Sequence, residues 1–149
     1  MKAKNWMILG VCLLLIGAAI GGWFAFRQQF YVFLIYHGKG NWASTRLANL
    51  PDVDLAMLEK HLESDKWFVR CSEVRTLRKM DDRERVLPIL KRQVPREKDS
   101  YCLLELAVAL GKFKAPDEAM SIMQGLRDDP KVGSQAREFL QKSSYPAGD

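Results

Sequence analysis

Hydrophobic positions follow two different rhythms along the chain. Trp6–Phe26 is an uninterrupted 21-residue stretch with no charged side chain. At about 1.5 Å per residue a helix of that length reaches about 30 Å, the thickness of a hydrocarbon core. Trp6 and Trp23 stand near its ends and Arg27 closes it, so the pattern predicts a membrane-spanning helix with interfacial anchors at Trp6, Trp23 and Arg27. A second apolar and aromatic run, Phe30–Tyr36, is too short to span and is expected to extend the same helix or lie in the interface. The segment His37–Asn41 reads as a helix stop and linker.

From Asp52 onward the apolar residues return at helical spacing, and the spacing itself repeats. Leu58, Leu90 and Ile122 are separated by equal steps of 32 residues, as are Leu62, Val94 and Leu126. Val69, Cys102 and Val132 form a parallel ladder, and so do Leu77, Leu110 and Leu140. Two interleaved ladders with one period predict a two-helix unit used three times. The expected pairs are Val53–Glu63 with Lys66–Met80, Arg83–Val94 with Ser100–Phe113, and Asp117–Arg127 with Pro130–Lys142. Asp52, Asp65 and Asp129 are the N-cap candidates, Pro95 is a stop, and Pro88 is awkward unless its helix starts near Arg85. Trp67, Cys71, Val74, Leu77 and Met80 form an apolar stripe on the second helix. No segment alternates like a strand.

Charge sharpens the division. Lys2, Lys4, Arg27, Lys39 and Arg46 precede any acid, and beyond them basic and acidic side chains balance. The net charge of +5 therefore belongs to the N-terminal third, which argues against nucleic acid as a partner. Residues 70–98 hold a local basic excess, read as a salt-bridged face or a surface for anionic headgroups or an acidic partner. Gly10, Gly17 and Gly21, with Ala18 and Gly22 one residue on, make a small-residue seam suited to packing against another membrane helix. A basic N-terminal tail favours a cytoplasmic N-terminus, and the expected location is a bacterial inner membrane, single-pass, with the C-terminal domain outside.

The segment Asp65–Leu77, with Val69-Arg70 after an aspartate turn, resembles the second helix of a HEAT-type repeat. Arg85–Leu90 is similar to a first helix of that type, proline included, and Asp129–Val132 with Ala136 and Leu140 resembles a third copy. Cys102-Leu103 in the middle copy and Glu73 in the first depart from the pattern. The apolar span and, over about 52–142, the resemblance together imply an all-α protein: one N-terminal transmembrane helix followed by a short α-solenoid of about three HEAT-like pairs. The implied domains are an anchor and linker over 1–42 (span about 6–26, extending at most to 36), a repeat domain over 43–142 and a tail over 143–149. The resemblance also implies that Arg70 pairs with Asp65 or with a turn acid of the next unit. Second helices usually line the concave side of such arrays, which makes Arg70, Glu73, Arg78, Tyr101 and Glu105 candidates for protein contact.

Reactive chemistry is sparse. His37 and His61 lack zinc-ligand partners at motif spacing, no glycine-rich phosphate loop occurs, and no base is placed to activate Cys71 or Ser72. Asp81-Asp82 and Asp128-Asp129 sit at turns, where carboxylates cap helices. Cys71 and Cys102 are the one intradomain cysteine pair, either free buried thiols or a disulfide. The expectation is a noncatalytic protein with no cofactor, no metal site and no small-molecule substrate. It is read as an accessory or scaffold subunit whose partners are other membrane proteins of a complex and the lipid bilayer. The alternative is a free-standing tethered adaptor recruiting soluble partners or anionic lipid.

Overall fold

A computed structural model describes residues 16, 18–19, 21–23, 26–37 and 40–144. Every regular element among them is helical. Helix α1 covers residues 26–36. It is followed by α2 (Gly40–Ala48), α3 (Leu55–His61), α4 (Trp67–Lys79), α5 (Arg83–Gln93), α6 (Ser100–Lys112), α7 (Pro116–Gly125) and α8 (Gly133–Ser144), with a 3₁₀ turn at Val94–Arg96 after α5.

Aspartates set four of the helix starts. Asp54 Oδ1 accepts from the amides of Ala56 and Met57 at 3.0 and 3.3 Å, and Asp82 Oδ1 from that of Arg85 at 3.2 Å. Asp99 and Asp129 do the same ahead of α6 and α8. Two expected caps are corrected. Asp54 serves α3 in place of Asp52, and α4 starts from Lys66, whose amide bonds to Ser64 Oγ, leaving Asp65 outside the cap. Helix α5 runs from Arg83 straight through Pro88, which lies on its exposed side. Helix α6 stops with Lys114 at φ 56°, a left-handed residue that lets the Ala115 amide reach the Leu110 carbonyl at 3.0 Å.

The helices pair as α3 with α4, α5 with α6 and α7 with α8, and α2, α4 and α6 pack in a row. Each rung of the sequence ladders is buried or half-buried; Leu58, Leu77, Leu90 and Leu110 are at 0 % exposure. The polar links share the period. Arg70 reaches Glu97, Arg75 reaches Glu105, Arg92 reaches Glu59 and Ser100 reaches Asp129, each about one unit away in sequence. Lys91–Glu118 is a further pair of this kind. Neighbouring units thus supply the acids that neutralise much of the basic excess in 70–98, as expected where each unit contacts only its neighbours.

The N-terminal expectation is corrected. Among the described residues no helix is long and apolar enough to cross a membrane. Residues 1–15, 17, 20 and 24–25, and with them most of Trp6–Phe26, lie outside the described residues. The transmembrane helix, the single-pass description and the inner-membrane location are therefore withdrawn. The physical reason is clearest at Phe30–Tyr36, which covers the first helix pair. Val32 is 8 % and Ile35 1 % exposed, both within the main core. The same helix is fastened to the loop before α3: Arg27 pairs with Asp52, Gln28 Nε2 donates to the Asp52 carbonyl at 2.8 Å, and the Asp54 amide donates to Gln28 Oε1 at 2.9 Å. Gly40 and Asn41, read as linker, open α2, whose Ala43, Ser44 and Leu47 are buried.

Candidate protein-contact groove

The row of α2, α4 and α6 carries a groove of about 530 Å³. Ile35 and the start of α2 form one wall, Trp67, Phe68, Cys71, Ser72 and Arg75 the α4 side, and Tyr101 the α6 side. The close approach of α2 to α4 depends on Gly40. A Cβ there would sit 2.6 Å from Ser72 Oγ. Ser44 Oγ bonds across to the Ser72 carbonyl at 3.0 Å.

Trp67 and Tyr101 each lie in the first turn of their helix. The offset between α4 and α6 brings them together as a stack, with centroids 5.8 Å apart and planes at 27°. Phe68 meets Trp67 edge-on at 6.2 Å. Trp67 nevertheless remains 47 % and Tyr101 40 % exposed. Large stacked rings with that much surface in water are of the residue types enriched in interface hot spots. Trp67 was expected in the apolar stripe; it leaves the core because it sits at the helix start, beside Tyr101, whereas Cys71, Val74 and Leu77 behind it are buried.

Beyond the rings the groove carries Arg75, with Arg78 and Lys79 further along α4. Arg75 Nε bonds to Glu105 Oε1 at 2.7 Å and Arg78 lies 3.0 Å from Glu105 Oε2, so two guanidinium groups share one carboxylate. Lys79 Nζ bonds to Thr45 Oγ1 at 2.6 Å and approaches Asn41. Burial first, then Arg78 and Arg75, push the Lys79 amine below its ordinary pKa. The cations outnumber the acid that serves them.

The sequence-derived residues fall unevenly on this surface. Tyr101 lines the groove; Arg78 and Glu105 do not, and Glu105 meets it only through its bond to Arg75. Arg70 does not stand free. Its Nε and Nη2 grip Glu97 at 2.8 and 2.7 Å, and its Nη1 donates to the carbonyls of Ser64 and Asp65. The acid is thus the turn residue of the next unit, and Asp65 contributes only its backbone. Glu73 is corrected outright as a contact residue. It is 0 % exposed, beneath His61, whose Nδ1 is 3.4 Å from Glu73 Oε1. Tyr36 stands edge-on to His61. Neither Glu73 oxygen has a hydrogen-bond partner among the described residues. Burial pushes this carboxyl above the usual carboxylate range, and His61 offsets that only in part.

Of the expected membrane-packing residues, Gly10 and Gly17 lie outside the described residues, as does Trp6 at the expected interface. Ala18, Gly21 and Gly22 are exposed. Trp23 is 54 % exposed and meets Phe30, and Arg27 is engaged with Asp52.

Sequence reasoning placed Arg75 and Lys79 on a basic surface but did not single out Trp67, although Trp67 and Tyr101 are nearly one repeat apart. It did pair Cys71 with Cys102. Their Sγ atoms are 2.8 Å apart, and with an Asp99 oxygen they form a cluster within 4.8 Å. Asp99 Oδ1 is already committed to the Tyr101 and Cys102 amides.

No protein-family model, curated protein or solved structure matches this chain.

Proposed function

We propose that this protein is a noncatalytic scaffold or accessory subunit whose paired-helix array, resembling HEAT-type repeats, holds a protein partner along the α2–α4–α6 face. The observation that carries the reading is the exposed Trp67–Tyr101 stack beside Arg75. Tryptophan, tyrosine and arginine dominate binding energy at protein interfaces, and here the two rings stack on each other from the first turns of their helices. The surplus of Arg75, Arg78 and Lys79 over Glu105 favours a partner segment that brings an acidic side chain next to an apolar one.

The test is affinity purification of the full chain from its native cells, beside a variant carrying Trp67→Ala, Tyr101→Ala and Arg75→Glu. A stoichiometric partner kept by the parent and lost by the variant, at unchanged helicity, is the expected result. A parent that purifies alone, or a complex indifferent to these substitutions, contradicts the reading.

A further inference from the structure

Cys71 on α4 and Cys102 on α6 meet at the floor of the groove. The Sγ–Sγ distance of 2.8 Å is only about 0.8 Å longer than a disulfide bond. Both residues are buried, at 2 % and 0 % exposure, and both are free thiols. They are not equivalent. Cys71 lines the groove itself, whereas Cys102 lies behind it, with Sγ 3.1 Å from the Trp67 carbonyl. They lie on the second helices of successive units, 31 residues apart, so a bond between them would tie one unit to the next.

We propose that Cys71 and Cys102 form a reversible disulfide by exchange with a low-molecular-weight disulfide that enters through the groove, Cys71 being the sulfur that reacts first. The Cys71 thiol loses its proton to solvent in the groove, and the thiolate attacks one sulfur of the small disulfide. That S–S bond breaks, one thiolate leaves and takes up a proton, and a mixed disulfide remains on Cys71. Cys102 then gives up its proton and attacks Cys71 Sγ. The protein disulfide forms, the second small thiolate leaves and is protonated in turn. Two protein thiols are oxidised and one small disulfide is reduced to two thiols. The order follows from access: Cys71 lines the groove and Cys102 lies behind it. The hydrogen bond to Cys71 and burial raise the Cys102 pKa.

The experiment uses the full chain with Cys12→Ser, incubated with oxidised glutathione. Intact mass is expected to fall by two hydrogen atoms, peptide mapping to join Cys71 to Cys102, and the thermal midpoint to rise by roughly 10 °C, all reversed by dithiothreitol. Two thiols that are still fully alkylated when the protein is unfolded in denaturant after prolonged oxidation overturn the proposal. A second pair of variants tests the order. Adding Cys102→Ala should arrest the reaction as a glutathione adduct on Cys71. Adding Cys71→Ala should slow modification of Cys102 more than tenfold. Equal rates in the two, with helicity preserved, overturn the assignment of Cys71 as the first sulfur. If either variant unfolds, the mass and peptide map of the parent still decide whether the bond forms.

Discussion

Replacing Arg70 by methionine should cost about 3 kcal/mol of stability, far more than a surface ion pair is worth. The figure follows from the geometry. Glu97 has a side chain at 0 % exposure and Arg70 one at 16 %, so solvent screens neither well. Breaking such a pair from one side costs about 3–5 kcal/mol, because the remaining charge stays buried. Glu97 keeps the amides of Lys98 and Asp99 and the Gln93 side chain, which places the loss at the lower end. Burial acts to raise the Glu97 pKa, but Arg70 and those two amides outweigh it and hold the carboxyl below its ordinary value. The stabilisation is therefore present at neutral pH and lost as pH falls through the depressed folded value. Urea unfolding of the parent, Arg70→Met, Glu97→Gln and the double variant, each between pH 3 and 7, gives the coupling directly. A coupling of about 2 kcal/mol that fades in acid is expected. A coupling under about 0.5 kcal/mol, or an acid limb unchanged in Arg70→Met, refutes the reasoning.

Glu73→Gln should gain on the parent as pH rises from about 4.3, the carboxylate value in the unfolded chain, because the raised folded pKa makes the parent lose stability across that window; parallel urea midpoints from pH 4 to 8 would contradict it. Lys114→Gly should stabilise by about 0.5–1 kcal/mol in thermal unfolding, since φ 56° is strained for lysine and not for glycine, and a loss would speak against the left-handed helix stop. Gly133→Ala should destabilise by about 1–3 kcal/mol, because a Cβ there meets the Arg127 carbonyl oxygen at 2.6 Å, and a neutral result would show that the turn before α8 is looser than described.

Where neighbouring residues decide a structure, the sequence was readable. The limits of α5 and α6 lie within a residue of those read from Pro95 and the ladder spacing, since a proline stop and an aspartate cap are local devices. The ladders were readable because a repeating unit buries the same positions each time. Phe30–Tyr36 was not, because an apolar aromatic run suits a bilayer interface and a core equally, and only the neighbouring helix pair shows which one it meets. Glu73 misled for the converse reason. A carboxylate reads as surface, and its burial depends on His61 and Tyr36 arriving from other elements. Trp67 fitted the helical stripe by spacing, yet it stacks on a tyrosine a full unit away. The groove was partly legible: Tyr101 came from the helix face expected to line a concave side and Arg75 from the basic excess over 70–98, while the Trp67 stack and the α2 wall needed the register of α4 against α2 and α6.

The most direct test of the groove as a protein-contact surface is photocrosslinking in living cells, with p-benzoylphenylalanine placed at Tyr101 or, for comparison, at Gln124 on the exposed side of α7. A discrete product of one defined mass from position 101, absent at position 124 and abolished by Arg75→Glu, is the predicted result. Equal labelling from both positions, or none from position 101 at normal expression, would contradict it.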